Sequence, residues 1–288
     1  MATTDSVSVR ALGVADLAAA QRLSDEAGWN QVEADWRIFL ELGRLYGTEG
    51  PDRRLLATGA TLPLGHEFGW ISMVLVTAAA RHHGIARQIV IHCLEDLAAQ
   101  GLMPGLDATP EGREVYGRLG FRDSWPITRF VRPGTGGPDR DPGPMAPEIR
   151  IATLNDLGAL AELDRRAFGT ERRAVLARLI ERAPPLAVVG WTPEAAGFLL
   201  GRVGRAATQL GPLVASQPAL ALAMVDHAIR NSPGPLLIDI VDLRPGLRAA
   251  LEARSFVRQR TFTRMFYHRS EAFGDPNFAI AVAGPEFG

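Results

Sequence analysis

The sequence predicts an α/β protein built as two tandem copies of one folding unit. Three observations predict it. A short aliphatic run, a small-residue turn and an amphipathic segment follow one another between Trp70 and Leu97. A Pro/Gly-rich stretch interrupts the chain near its middle, and the residues on its two sides repeat each other. With 288 residues, 47% hydrophobic and 22% charged, the chain can form one large or two ordinary domains with a sizeable core.

Taken in order, residues 7–10 read as a first strand. A helix follows from Val14, with Leu17, Ala20 and Leu23 on one face and Asp16 in its first turn. A polar and aromatic connection, 27–35, leads into a second helix expected over 36–45, with Ile38, Leu42 and Leu45 inward. Trp29, Asn30, Gln31 and Asp35 lie in this polar and aromatic connection, which invites a functional reading. Their structural alternative is core anchoring by the aromatic rings and capping of the next helix by Asp35. Residues 54–64 read as two short strands around Gly59, which together with the next strand suggest an antiparallel meander.

The stretch Trp70-Ile71-Ser72-Met73-Val74-Leu75-Val76 is short and aliphatic, which argues for a buried strand. Beyond the link at 77–80, Ile85, Ile89, Cys93 and Leu97 recur every four positions, one buried stripe of a helix that stops at Gln100-Gly101. Residues 81–86, Arg-His-His-Gly-Ile-Ala, therefore open a helix. Unpaired N–H groups and the helix dipole make such a terminus a ready anion site, and Gly84 removes the Cβ that would block close approach. The alternative is a solvated surface turn. Farther on, residues 106–121 give a short strand, a turn, a helix carrying Val115-Tyr116 and a stop at Leu119-Gly120-Phe121.

Strand, Arg81-x-x-Gly84-Ile85-Ala86 helix, strand, then V-Y-x-x-L-G-F resembles the GNAT superfamily of N-acyltransferases over residues 8–132. The resemblance implies two tandem GNAT-like domains, each a mixed, largely antiparallel sheet flanked by helices. It implies acetyl-CoA as co-substrate, with its pyrophosphate at Arg81, His82, His83, Gly84, Ile85, Ala86 and Arg87. Its pantetheine arm would lie along Val74, Leu75 and Val76, hydrogen-bonded like an added strand. The resemblance also implies that the 27–35 connection overhangs the acceptor side of the cleft, where Trp29, Asn30, Gln31 and Asp35 are candidate pocket residues. Tyr116 matches the family's general acid, since a phenol with a pKa of ~10 is protonated at neutral pH; the alternative is packing. The general base is unassigned: the strand around Gly69, Trp70 and Ser72 lacks the Glu some relatives place there, leaving Glu67, Glu33, Asp35 or a water relay.

Between Pro133 and Pro147, nine of fifteen residues are Pro or Gly, a composition that behaves as a linker. The expected division is therefore 1–133, a catalytic GNAT domain, 134–147, the linker, and 148–288, a second GNAT-like domain. At an offset of 140, Arg150, Asp156 and Leu157 fall on Arg10, Asp16 and Leu17. At 135, Asp242, Pro245, Arg248, Phe256, Thr263 and Arg264 fall on Asp107, Pro110, Arg113, Phe121, Thr128 and Arg129. This is an internal duplication. Where the first half has Arg81-x-x-Gly84 the second has 211–220 with no Arg and no glycine opening the helix, and Leu251 stands opposite Tyr116. The second half is expected to be degenerate as an acyltransferase, ending in a last strand and turn over 277–286.

The formal charge of −1 leaves no excess to neutralise a phosphate backbone, so nucleic acid is not an expected partner; every one of the 31 cations is Arg. A single cysteine, Cys93, forms no internal disulfide and sits on the apolar stripe. No basic leader precedes an apolar segment and no run of about 18 apolar residues occurs, so a cytoplasmic protein without a membrane anchor is expected. His82, His83 and His92 form no metal set. The expected function is transfer of acetyl from acetyl-CoA to a primary amine of a small molecule. An acyl-CoA-binding sensor without turnover is the alternative.

Overall fold

The computed structural model describes residues 8–134, 147–193, 195–241 and 243–288. The chain divides into two compact units, Met1–Gly105 and Leu106–Gly288. Each is mixed α/β.

The first unit runs β1 (Val9–Ala11), α1 (Leu17–Glu26), α2 (Glu33–Leu42), β2 (Arg44–Glu49), β3 (Leu55–Leu64), β4 (Phe68–Val76), α3 (Ile85–Ala99) and the start of β5 (Met103–Ala108). The strands stand in sequence order. Pairings among β1 to β4 are antiparallel, whereas β4 and β5 are parallel. Leu17, Ala20 and Leu23 are buried, as the periodicity expects. The helix expected over 36–45 is displaced: α2 begins at Glu33 and ends at Leu42, and Leu45 lies in β2. Gly43 explains the early stop, because a Cβ there would collide with the Thr61 carbonyl, so the chain must turn into the sheet at that point. The two strands expected around Gly59 are one, β3. Gly59 does not break it; it makes room for Ile89 and Cys93 of α3, as Gly69 does for Leu97. Ile85, Ile89, Cys93 and Leu97 are all buried, so the stripe read from sequence is the face α3 lays on β3 and β4.

The second unit continues with the end of β5, α4 (Pro110–Arg118), β6 (Phe121–Arg132), β7 (Glu148–Ile151), α5 (Leu157–Phe168), α6 (Arg173–Arg182), β8 (Val188–Thr192), β9 (Ala195–Val203), β10 (Thr208–Ala215), α7 (Pro218–Asn231), β11 (Leu236–Val241), α8 (Pro245–Glu252), β12 (Val257–Tyr267) and β13 (Ala279–Ala281). Its strand order is β12-β6-β11-β13-β10-β9-β8-β7. The core gathers Phe130, Leu220, Met224, Leu251 and Phe256.

Repeated side-chain devices confirm the duplication. Arg10 forks onto Asp16 at 3.1 and 2.7 Å while Asp16 accepts the Gly13 N–H. Arg150 forks onto Asp156 at 2.9 and 2.6 Å while Asp156 accepts the Thr153 N–H. The arginine holds each carboxyl below the usual range.

The Pro/Gly-rich stretch, residues 135–146, lies outside the described residues, as does Asp242. The compact units part at Gly105/Leu106, earlier than this stretch. The reason is β6. It pairs antiparallel with β11 from Ile127 to Arg132 and with β12 from Phe121 to Val131, so the last strand of the first repeat is built into the second unit. Arg129 of β6 fastens it, and the repeat-related Arg264 ties β12 to β5 in the same way. Arg129 forks onto Asp239 at 2.7 and 2.7 Å, and Arg264 forks onto Asp107 at 2.9 and 2.9 Å. Each repeat's arginine thus pairs with the other repeat's β-strand aspartate. The carboxylate that matches Asp107 in this role is Asp239, three residues before the Asp242 suggested by the sequence register.

Candidate active site

In the first unit, β4 keeps parallel pairing with β5 for three rungs, Phe68 to Trp70 against Met103 to Gly105. On its other edge the ladder to β3 slips between Thr58 and Ala60, opposite Met73, whose φ is +52°. The Thr58 hydroxyl donates to the Met73 carbonyl at 2.8 Å and holds this bulge. Val74 and Val76 are half-buried and Leu75 is buried. A bulge of this kind re-aims backbone groups, here at the point where β4 leaves β5.

A 3₁₀ turn, Ala78–Ala80, leads to α3. Glu26, at the end of α1, braces that turn: its carboxylate accepts the Ala78 N–H at 2.6 Å and the Thr77 hydroxyl at 2.9 Å. These donors, with the Arg81 charge, hold the Glu26 carboxyl below its usual range, the Ala78 N–H foremost. No sequence signal announced Glu26, because it meets the turn from about fifty residues away.

Arg81, His82, His83 and Gly84 are exposed, Ile85 is buried, Ala86 is half-buried and Arg87 is exposed. Ile85 is thus an anchor in the core. Gly84 is the residue before α3, with φ +78°, and no side chain caps the helix start. A Cβ at Gly84 would meet nothing within 4 Å, so the space in front of the backbone is open. His82 carries φ +65°, a costly conformation for a residue with a side chain. Arg81 Nε donates to the Val76 carbonyl at 3.2 Å, and His83 Nδ1 lies 2.7 Å from the Arg81 carbonyl. An uncapped helix start with open space before it fits an anionic group such as a pyrophosphate.

The expected pocket residues divide. Asp35 is buried and accepts the Val32 N–H at 2.8 Å as the reciprocal half of a capping box, so its structural role is met. Trp29 and Asn30 are half-buried, and Trp29 N–H donates to the Ser24 carbonyl at 2.9 Å. Gln31 is buried; its main-chain carbonyl accepts from Gln21 while its side-chain Oε1 has no partner. Ser72 Oγ on β4 is likewise buried and unpartnered. Buried polar atoms are nearly always satisfied, so these two orphans, like Gln21 Oε1, Trp36 Nε1 and Gln88 Oε1 in the same unit, mark places where a ligand group or water belongs. Cys93 is fully buried and its thiol is pushed up by burial, far from a reactive thiolate.

Tyr116 belongs to α4 in the second unit. Thr109 caps this helix by accepting the Gly112 N–H at 3.2 Å, and Pro110 follows at its first position. The Tyr116 ring is half-buried, 6.1 Å from Phe121, and Gly112 leaves it room. A groove of about 610 Å³ runs between Pro110, Arg113, Gly117, Phe121, Asp123 and Met265; Tyr116 does not line it. In the second repeat Leu251 on α8 is fully buried in the core, and α7 starts at Pro218 after Gln217, with neither Arg nor Gly. Among the described residues no His, Cys, Asp and Glu set could hold a metal, and no helix is long and apolar enough to cross a membrane.

Residues 160–277 match the family model described as an acetyltransferase (GNAT) domain. The match falls on the second repeat, the one without Arg81-x-x-Gly84. Comparison with curated protein sequences gives no significant match. Among solved structures, a Pyrococcus horikoshii protein assigned to the acetyltransferases superposes with a TM-score of 0.79 at 18% identity, covering 99% of this chain and 96% of that one. A GCN5-related N-acetyltransferase from Sphaerobacter thermophilus gives 0.64 at 17%, covering 91% and 95%. A tandem GNAT protein from the clavulanic acid biosynthesis pathway gives 0.61 at 13%, covering 90% and 98%. At these identities the structural likeness shows the fold alone, a GNAT-like fold along nearly the whole chain, and the domain match bears on residues 160–277.

Proposed function

We propose that the protein transfers the acetyl group of acetyl-CoA to a primary amine of a small molecule, with the first repeat catalytic and the second degenerate. The observation that carries this reading is the start of α3: an uncapped helix N-terminus opened by a left-handed Gly84, facing open space and following a strand that has parted from its neighbour. Acetyl-CoA supplies the activated thioester. In this reading N–H groups of residues 84–87 and the Arg81 and Arg87 side chains hold its pyrophosphate. Backbone groups of Val74 and Leu75 hold its extended amide arm, and the Val76 carbonyl becomes available when Arg81 turns to the phosphates. Tyr116 protonates the departing thiolate. Trp29, Asn30 and Gln31 border the acceptor, and the orphaned Gln31 Oε1 and Ser72 Oγ accept hydrogen bonds from the amine or from a water that relays its proton.

The test is calorimetry with acetyl-CoA followed by a CoA-release assay with polyamines, aminoglycosides and amino acids as acceptors. Binding at one acetyl-CoA per chain with amine-dependent CoA release is expected. Binding without release from any amine identifies the alternative, an acyl-CoA sensor, and no binding removes both. Tyr116→Phe should keep acetyl-CoA affinity and lower kcat by roughly 10²-fold or more, the range of general-acid catalysis. An unchanged kcat would return Tyr116 to a packing role.

A further inference from the structure

In the second repeat β10 and β11 also pair in parallel for three rungs, Thr208 to Leu210 against Leu236 to Ile238, and then part. There the opening is filled. The residues that enter it begin where the family match ends, at 277. The Phe278 carbonyl accepts the Ala215 N–H at 3.1 Å, Leu213 and Val214 pair with Ala281 and Ala279, and Ile240 pairs with Ala281 from the other side. Val282 N–H donates to the Asp239 carbonyl at 2.9 Å. Both parted edges are therefore satisfied by β13. The fit is close: Ala279, Ala281 and Ala283 are small and buried, and a Cβ at Gly211 would collide with the Val282 carbonyl.

Buried charges fasten the segment. Glu286 pairs with Arg202, both at most 3% exposed, and Arg202 also donates to the Ala283 carbonyl. Arg172, forked onto Asp164 at 2.7 and 2.8 Å, donates to the Phe287 carbonyl at 2.9 Å and to that of Gly288. In the first repeat β4 has only β3 and β5 as neighbours among the described residues, and nothing is inserted beyond Trp70.

We infer that residues 278–288 are the resident peptide ligand of the second repeat, a strand held by Arg172 and Arg202 in the sheet opening that the first repeat keeps clear. Occupied in this way, the second repeat is closed to any other extended amide chain; that this includes acyl-CoA rests on the function proposed above. The arrangement is strand addition performed by the chain on itself.

The test uses the full chain with a protease site inserted between the exposed Ser270 and Glu271, cleaved after folding. Fragment 271–288 should stay bound through gel filtration and exchange with a fluorescent peptide of the same sequence to one per chain. A Val282→Pro peptide, which lacks the N–H given to Asp239, should compete roughly tenfold more weakly or worse. Saturating acetyl-CoA should leave the fragment in place. Loss of the fragment, or its expulsion by acetyl-CoA, overturns the inference. Should nicking unfold the protein, hydrogen exchange on the intact chain decides: Ala215 and Val282 amides must be as protected as the rest of β10 with and without acetyl-CoA, and fast exchange overturns it. Failure of the proposed function gives a different result, a retained fragment in a protein that binds no acetyl-CoA.

Discussion

At Gly84 the backbone conformation and the open space make separate demands. The φ of +78° penalises any Cβ by about 1–2 kcal/mol, while the empty surroundings add no clash. Asn and Asp have nearly the same shape and both visit the left-handed region, but only Asp sets a negative charge against a phosphate. Gly84→Asn and Gly84→Asp should therefore unfold at similar temperatures, with Gly84→Asp binding acetyl-CoA roughly tenfold or more weakly than Gly84→Asn. Equal affinities by calorimetry would move the anion site elsewhere. Glu26 gives a pH-dependent counterpart. Its carboxyl is depressed in the folded state, so its stabilising effect is full above the unfolded value of ~4.3 and fades as pH falls through the folded value below that. The melting difference between the wild type and Glu26→Gln should be constant from pH 5 to 7 and shrink toward pH 3. A difference that grows on acidification would contradict the brace. Of these residues, Gly84 was legible because a glycine opening an apolar stripe has few explanations. Glu26 and Met73 were not: one acts across about fifty residues, and the other matters through a φ that side-chain identity does not announce, as the φ of His82 was not announced although the residue itself was.

Helix α3 and the two glycines beneath it set where the candidate anion site stands relative to β4. Its stripe was readable because i, i+4 spacing is a local signal, and Gly59 was misread as a break because a glycine in a strand can mean either a turn or a close approach. The structure assigns the second meaning: Ile89 and Cys93 occupy the place of the missing side chain. The second repeat uses the same device, with Gly190 and Gly197 beneath Leu220 and Met224 of α7. Gly59→Ala should cost about 1–3 kcal/mol by overpacking, since the β-branched Ile89 has little freedom to yield. Adding Ile89→Ala should then cost less than Ile89→Ala does in the wild type, a negative coupling measurable by denaturant titration. Strict additivity would show that α3 shifts bodily to accept the methyl. The strand β2 was missed for a related reason: Leu45 satisfies a helical stripe ending at Leu42 as well as a strand beginning at Arg44, and only the tight passage of Gly43 past Thr61 decides between them.

For the molecule as a whole, the duplication was visible in sequence at both ends of each repeat, yet the exchange of strands was not, because a strand's sequence does not name its partner. Strand β6 ends the first repeat and is held on both edges by second-repeat strands, β11 and β12. It also carries Arg129, 4% exposed, whose counter-charge is Asp239 of the second repeat. A fragment of residues 1–133 would keep β6 and remove both of its neighbours, leaving two open strand edges and a guanidinium without its carboxylate. Losing one member of a buried pair alone costs about 3–5 kcal/mol, comparable to a small domain's whole stability. Exposed edges of this kind invite association. Residues 1–133 expressed alone should therefore aggregate or oligomerise, and co-expression with residues 148–288 should recover a soluble 1:1 complex. Gel filtration with light scattering reads both results. A monomeric 1–133 fragment with a cooperative unfolding transition would show that β6 can pair within its own repeat, and that the exchanged arrangement follows from joining the two copies in one chain.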